Sequence, residues 1–428
     1  MAATPGCIRP AQHLRSMQAV LAAGGSALMF LQLEAIEEVA RMESTWSARL
    51  RKKIHHAERY LDRGRRSLRR GLGLTKPALI QPYLGFGTAD RLWFRGRVIE
   101  DRNEVAHLNS QSLLTNLRYT YKRYATREIP GAKIGWRIGS QSGELITDDE
   151  GYFDLTIAPG ADFDESGPWQ NVDLTLLDAG QADAPPLEAR CRIRTPRPDA
   201  QFGVISDIDD TIVKTGAFNF MKHWRTVVSH SAAGRQVLPG TSALYSALAA
   251  GAAGPETNPV VYVSSSPWNL ADLFERFMAL NDIPLGPMLL KDFGLDETKW
   301  FTGGHSGHKG KMIDRVMKTW PALNFILIGD SGQRDAHIYA DAIETHPGRV
   351  MAVFIRDVAH VNEDQIARLK TVAGRHSIPV AVTDDLSAAS EICAQNGWIG
   401  GQEKEEVEAE IEAMDNHPEA WLHRHADS

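Results

Sequence analysis

Three short polar clusters each close an apolar run, and their residue types could do phosphoryl chemistry. FGVI leads into Ser206-Asp207-Ile208-Asp209-Asp210-Thr211, and NPVVYV into Ser264-Ser265-Ser266-Pro267. FILIG leads into Asp330-Ser331-Gly332-Gln333-Arg334-Asp335, and Gly307-His308-Lys309-Gly310-Lys311 opens a helical stretch before it. Taken singly, each acid or serine could simply cap a helix or end a strand. Taken together, they bring several acids, a hydroxyl and an ammonium within reach of one sheet edge. A carboxylate can attack phosphorus when a hard cation neutralises the incoming anionic phosphoryl group. Asp207 and Asp330 can supply oxygen ligands to such a cation, with Mg²⁺ the expected ion. Ser264 can donate to a phosphoryl oxygen, and Lys309 can offset charge that develops in transfer. Asp209, two residues beyond the nucleophile, is spaced to protonate the leaving oxygen and then to activate water.

The elements that must carry these residues alternate in type. FGVISDID, NPVVYVSSSP, FILIGDSG and VMAVFIRD read as short buried strands. Helical stretches around Gly240 to Ala250, Leu270 to Leu280, Lys309 to Thr319 and Ala336 to Thr345 separate them. This predicts an α/β fold: a Rossmann-like, mostly parallel sheet with helices on both faces. Ligands in such folds sit beyond the C-terminal ends of the strands. Upstream, RLWFRGRVIE, YFDLTI and VDLTLLDA are rich in aromatic and β-branched residues. They predict a small antiparallel, β-sandwich-like domain, interrupted by a helical segment near Leu113 to Tyr124. Within it, ITDDEGYFDLTI reads as a hairpin turning at Asp148 to Gly151. Ala35 to Leu68 reads as a helix, with Ile36, Val39, Met42, Trp46 and Leu50 at three- or four-residue steps. The expected divisions are a helical, basic region over 1–76, a β-rich accessory domain over 77–198, a catalytic domain over 199–378 and a loose acidic tail over 379–428.

The acid-Ser-Lys-acid set resembles the haloacid-dehalogenase-type phosphohydrolases, whose pattern is D-x-D-x-T, a strand-terminal Ser or Thr, a Lys, and an acidic pair after a later strand. DIDDT at 207–211, Ser264, Lys309 and GDSGQRD at 329–335 carry that likeness. The fuller strings VISDIDDTIVKTG, YVSSSPWNL, GHKGKMI and LIGDSGQRD resemble more narrowly the catalytic domain of actin-patch-protein-type phosphatidate phosphatases and their bacterial relatives. The resemblance spans roughly residues 200–360, and the preceding β region is similar to that of bacterial members. It implies that Asp207 becomes an aspartyl-phosphate and that Asp209 is the general acid/base, lending its backbone carbonyl to Mg²⁺. Asp330 is then a metal ligand, and Asp335 an outer or additional acid of the metal site. Thr211 supports the nucleophile loop, Ser264 binds phosphate, and Lys309 stabilises both phosphate and Asp207. Asp210 is left to a structural role. The implied reaction is Mg²⁺-dependent conversion of phosphatidate to diacylglycerol and phosphate. The same chemistry on a soluble phosphometabolite or phosphoprotein, or an inactive lipid- or protein-binding module, are the alternatives.

Composition sets the frame for this reading. The 428 residues are 43% hydrophobic and 24% charged, ordinary for a globular protein and unlike a disordered or collagen-like chain. Cys7, Cys191 and Cys393 are the only cysteines, too few for a disulfide framework or a thiolate zinc site. The net charge of −7 hides two opposed segments. Arg49 to Arg70 holds ten basic and two acidic residues, a local +8, and Gly401 to Ser428 is −7. The basic segment reads either as a solvated helix face or as a peripheral contact with anionic membrane; no nucleic-acid reader accompanies it. The apolar run Ala19 to Leu31 is too short for an ordinary membrane span and lacks a small-x-small cleavage site. A cytoplasmic protein is therefore expected, with a peripheral place at the inner membrane surface as the alternative that the basic segment leaves open, and its oligomeric state open. Other candidates are weaker. His305 and His308 suit substrate-loop or structural roles, and His55 and His56 lack partners for a zinc site. Gly303 to Gly307 lacks the Walker spacing. Trp224, Trp268 and Trp300 could line an apolar entrance or simply pack.

Overall fold

A computed structural model of the chain describes residues 78–100, 128–165, 167–178, 187–209, 211–212, 238–291, 305–358 and 362–416. The basic N-terminal region, the helix expected near Leu113 to Tyr124, and Asp210, Trp224 and Trp300 lie outside the described residues.

The β-rich segment forms one eight-stranded sheet. Its strands are β1 (Ala78–Pro82), β2 (Gly85–Gly87), β3 (Leu92–Glu100), β4 (Lys133–Ile138), β5 (Gln141–Ile146), β6 (Tyr152–Ile157), β7 (Trp169–Asp178) and β8 (Leu187–Arg194). The order is β1-β3-β2-β8-β7-β4-β5, with β6 on the other edge of β3. Alternation in β7 explains its single buried face: Gln170, Val172 and Leu174 turn inward while Asn171 is exposed. β3 is different. Leu92, Trp93, Phe94 and then Gly96 to Ile99 are all buried, because strands flank it on both edges and packing covers both faces.

Two expectations are corrected here. The sheet is mixed, since β2 runs parallel to β8. The expected hairpin has its turn but not its pairing. Asp148 Oδ1 accepts from the amides of Glu150 and Tyr152, and Gly151 takes a left-handed φ of +76°. Yet β5 pairs with β4 and β6 with β3. Thr147 explains the divergence. Its buried hydroxyl donates to Ile129 O and accepts from Ala132 N, each at 2.9 Å, tying the residue after β5 to the segment that leads into β4.

The second sheet has six strands: β9 (Gly203–Asp207), β10 (Val260–Pro267), β11 (Met288–Lys291), β12 (Phe325–Asp330), β13 (Val350–Arg356) and β14 (Val380–Thr383). All its pairings are parallel, in the order β11-β10-β9-β12-β13-β14. Counted within this sheet the order is 3-2-1-4-5-6, so the chain reverses direction across the sheet between β9 and β12. That switch point opens a crevice at the C-terminal strand ends. The helices are α1 (Thr241–Ala250), α2 (Ala271–Leu280), α3 (His305–Thr319), α4 (Asp335–Thr345), α5 (Glu363–Arg375), α6 (Ser387–Gln395) and α7 (Gly401–Asn416). Among the described residues no helix is long and apolar enough to cross a membrane.

The expected tail beyond residue 378 is also corrected. β14 is the sixth strand of the parallel sheet, and the acidic α7 seats Val407 and Ile411 in the main core, beside α1. Residues 76–428 form one compact unit. The two sheets share a core: Tyr83, Phe86 and Trp93 of the first belong to the same buried cluster as the α/β residues. Trp320 Nε1, at the end of α3, donates to Gly87 O at 2.8 Å across that boundary.

Candidate active site

Strand register assembles the site. Ser206 pairs with Tyr262 on one side and Ile328 on the other, and Asp207 pairs with Val263. Asp207, Ser264 and the Gly329–Asp330 step therefore reach the same level at the C-terminal edge. Three apolar runs ending in polar residues put those residues at the switch point because the strands are parallel and nearly unshifted.

Asp207, Asp330 and Asp335 converge there. Each is fully buried and offers one carboxylate oxygen, and the three oxygens lie within 4.8 Å of one another. Lys309, only 1% exposed, reaches in from the first turns of α3. Its Nζ is 2.9 Å from Asp207 Oδ1 and 2.5 Å from Asp335 Oδ1. Asp330 is held by its own loop: Oδ1 accepts from the amides of Gly332 and Gln333 at 2.7 and 3.0 Å. Asp335 Oδ2 accepts from Asp330 N at 3.3 Å, so this acid bridges the lysine to the end of β12. Gly329 makes the approach sterically feasible, since a Cβ there would lie 2.5 Å from Asp335 Oδ2.

The charges do not balance. One ammonium faces three carboxylates in a desolvated site, and the pKa values register the conflict. Burial raises Asp207 well above the ordinary carboxylate range; Lys309 opposes this, while Asp335 and Asp330 add to it. Burial, then Asp335, pushes Asp330 up to about 7. Burial works against the Lys309 ammonium, but Asp207, Asp335 and Asp330 more than offset it, and its pKa is raised. Apart from the Lys309 ion pair, both Asp207 oxygens are buried without a hydrogen-bond partner, as is Asp330 Oδ2. Orphaned carboxylate oxygens at this cost are what a hard divalent cation would satisfy, and the all-oxygen donor set fits one.

Asp209 stands apart from the three-acid group. Its Oδ2 accepts from Ser264 Oγ at 2.6 Å and from Ser266 Oγ at 3.0 Å, and Ser264 Oγ accepts from Ser266 N at 2.9 Å. The structure thus turns Ser264, expected to face phosphate, toward Asp209. Ser266 joins it, a partner that its sequence context as a helix-capping serine concealed. Thr211 is buried in the turn after Asp209, where Ile212 N donates to Ile208 O. Ser206 supports the strand end from below: its Oγ donates to Asp207 O and meets Tyr245 Oη, both at 2.6 Å. Of the weaker candidates, His308 is half-buried beside Lys309, and burial lowers its pKa. Trp268 is 4% exposed and packed between the two sheets rather than lining an entrance.

Residues 202–357, which hold the whole constellation, match the family described as "Phosphatidate phosphatase APP1, catalytic domain". This segment is thus similar to the APP1-type catalytic domain. The phosphatidate phosphatase APP1 of Saccharomyces cerevisiae is 26% identical over 242 residues, which are 55% of this chain and 39% of that protein. An uncharacterized protein of Schizosaccharomyces pombe is 26% identical over 157 residues, 36% of this chain and 25% of that one. The chain thus spans less than half the length of these curated relatives. Among solved structures, a carbohydrate acetylesterase from Xanthomonas citri aligns over 72% of this chain and 69% of that one, at 12% identity and a TM-score of 0.24. That value is too low to bear on fold or function. Among the described residues, the sheet β1–β8, which lies outside the matched segment, supplies no acid to the three-carboxylate group.

Proposed function

We propose that the chain is a Mg²⁺-dependent phosphatidate phosphatase of haloacid-dehalogenase type, converting phosphatidate to diacylglycerol and phosphate. The observation that carries this is the buried Asp207–Asp330–Asp335 group, bridged by Lys309 at the switch point of the parallel sheet. Its placement inside the segment that matches the APP1 catalytic family supports the substrate.

A divalent cation held by Asp207, Asp330 and Asp335 would neutralise the phosphoryl oxygens and orient the phosphoryl group. Asp207 attacks phosphorus through a carboxylate oxygen, forming an aspartyl-phosphate as the phosphorus–glyceride oxygen bond breaks. Asp209, fixed by two serine hydroxyls, gives its proton to the departing oxygen. It then takes a proton from water, whose oxygen attacks phosphorus and returns Asp207 as a free carboxylate. Lys309 works against burial to favour the ionised form of Asp207 as a nucleophile, and it offsets charge on the phosphoryl oxygens. Asp335 holds Lys309 in place. Cytoplasmic placement with peripheral membrane contact through Arg49 to Arg70 belongs to the same reading, which a membrane-borne substrate favours.

Phosphate release from phosphatidate in mixed micelles with added Mg²⁺, set beside a panel of soluble monoesters, tests the proposal. Release from phosphatidate is expected. Release only from soluble monoesters would reject the lipid substrate, and no release from any would reject the enzyme. Deleting Arg49 to Arg70 is expected to weaken sedimentation with anionic vesicles; unchanged sedimentation removes that segment from the membrane contact.

A further inference from the structure

The segment that carries Ser264 and Ser266 is poorly held by the sheet to which it belongs. Pairing of β10 with β9 ends at Val263 and Asp207, and its pairing with β11 is irregular between Val263 and Pro267. The two serines that fix the Asp209 carboxylate thus sit where the ladder gives out. Trp268 comes directly after this segment, buried at the start of a single 3-10 turn that leads into α2.

Trp268 is gripped from the other sheet. The Arg95 guanidinium carbon lies 4.8 Å from its ring centroid, the Tyr83 ring is 5.1 Å away and the Trp93 ring 6.3 Å. The Arg95 guanidinium also lies over the Tyr152 ring, 4.7 Å from its centroid. Its Nη1 is 3.8 Å from Asp154 Oδ2, and Asp154 Oδ1 accepts from Trp93 Nε1 at 2.8 Å. A guanidinium that lies over two aromatic rings beside an oriented carboxylate has little freedom. The same strand also touches the lysine-bearing helix, since the Arg315 guanidinium on α3 lies 4.2 Å from the Trp93 ring. β3 therefore meets both elements that bring site residues in from beyond the strand ladder.

We propose that β3 of the β-rich sheet positions the catalytic site, with Arg95 anchoring Trp268 and, through it, the Ser264–Pro267 segment that orients Asp209. This rests on the assignment of Asp209 to proton transfer. Arg95 is a positioning residue and touches no reacting atom. The β-rich half of the molecule thereby has a role in the reaction.

The test uses the full chain with Arg95→Met, Arg95→Lys and, as control, Arg137→Met, whose exposed side chain pairs with Asp173 on the outer face of β4. Amide exchange is followed in peptides covering 260–268 and, for comparison, β7 and β8. In Arg95→Met, exchange at Ser264 to Trp268 is expected to rise about fivefold or more while β7 and β8 stay protected. With phosphatidate and Mg²⁺, kcat is expected to fall about tenfold with KM nearly unchanged and without a matching loss of melting temperature. Arg95→Lys should recover part of both, and Arg137→Met should change neither. Unchanged exchange at 264–268 in Arg95→Met would overturn the proposal, as would a fall in kcat that only tracks the folded fraction. A wild-type chain that turns over no monoester would refute the proposed function, yet the exchange measurement would still decide whether Arg95 holds the segment.

Discussion

At the residue scale the site is an electrostatic conflict resolved only in part by Lys309. Three buried carboxylates share one ammonium, and Asp207 and Asp330 keep oxygens with no hydrogen-bond partner. Removing the ammonium should therefore destabilise the fold itself. Lys309→Met is expected to cost about 3–5 kcal/mol in denaturant unfolding without divalent cation, the range for stranding buried charges. A loss within about 1 kcal/mol, the scale of an exposed ion pair, would show that the carboxylates are not charged and crowded as described. A cation bound to the group should act in the opposite sense. At a hundred times its dissociation constant, Mg²⁺ is expected to add about 2.7 kcal/mol to the folded state, readable as a rise in melting temperature without any substrate. Asp330→Asn should abolish most of that rise. An equal rise in Asp330→Asn would place the cation elsewhere.

At the element scale, the sequence makes the candidate site residues legible for a physical reason. A parallel strand buried on both faces reads as a continuous apolar run, so its first polar residue marks the strand end where ligands bind. Asp207, Ser264 and Asp330 all stand at such ends. Ser266 is hidden in the sequence, because its contact is with Asp209, 57 residues away, and a serine closing an apolar run also reads as a helix cap. The pairings of β2 with β8 and β6 with β3 were equally hidden, since alternation shows which face a strand buries but not which neighbour it chooses. The acidic α7 reads as a loose tail because its charges outnumber the two apolar residues that dock it. Ile411→Ala is expected to cost about 2–4 kcal/mol; a change near zero would mean that the helix is only loosely attached. α2 offers a pH test. Burial, with Asp272 adding to it, pushes Glu275 up to about 7 from its ordinary 4.5. The folded state therefore holds this proton more tightly than the unfolded one, and stability falls as pH rises through that window. Glu275→Gln is expected to stabilise the protein by about 1–3 kcal/mol at pH 8 and to change little at pH 4. Equal effects at both pH values would contradict a half-buried carboxyl that holds its proton in the folded state.

At the scale of the whole molecule, two sheets share one core, and the site lies in the α/β half while the β-rich half braces it. The division expected near residue 198 separates two kinds of sheet without separating two bodies, because Phe86 and Trp93 bury themselves against α3 and the segment after β10. That union could not be read from periodicity, which sees each strand alone. The central claim is that Asp207 carries the phosphoryl group through the reaction. It is tested most directly by acid-quenching the enzyme during turnover of phosphatidate with Mg²⁺ and searching the peptide around Asp207 by mass spectrometry. A phosphoryl adduct on Asp207 is expected in the wild type, with Asp207→Asn forming none and losing activity by about a thousandfold or more. Turnover by Asp207→Asn at the wild-type rate would contradict it.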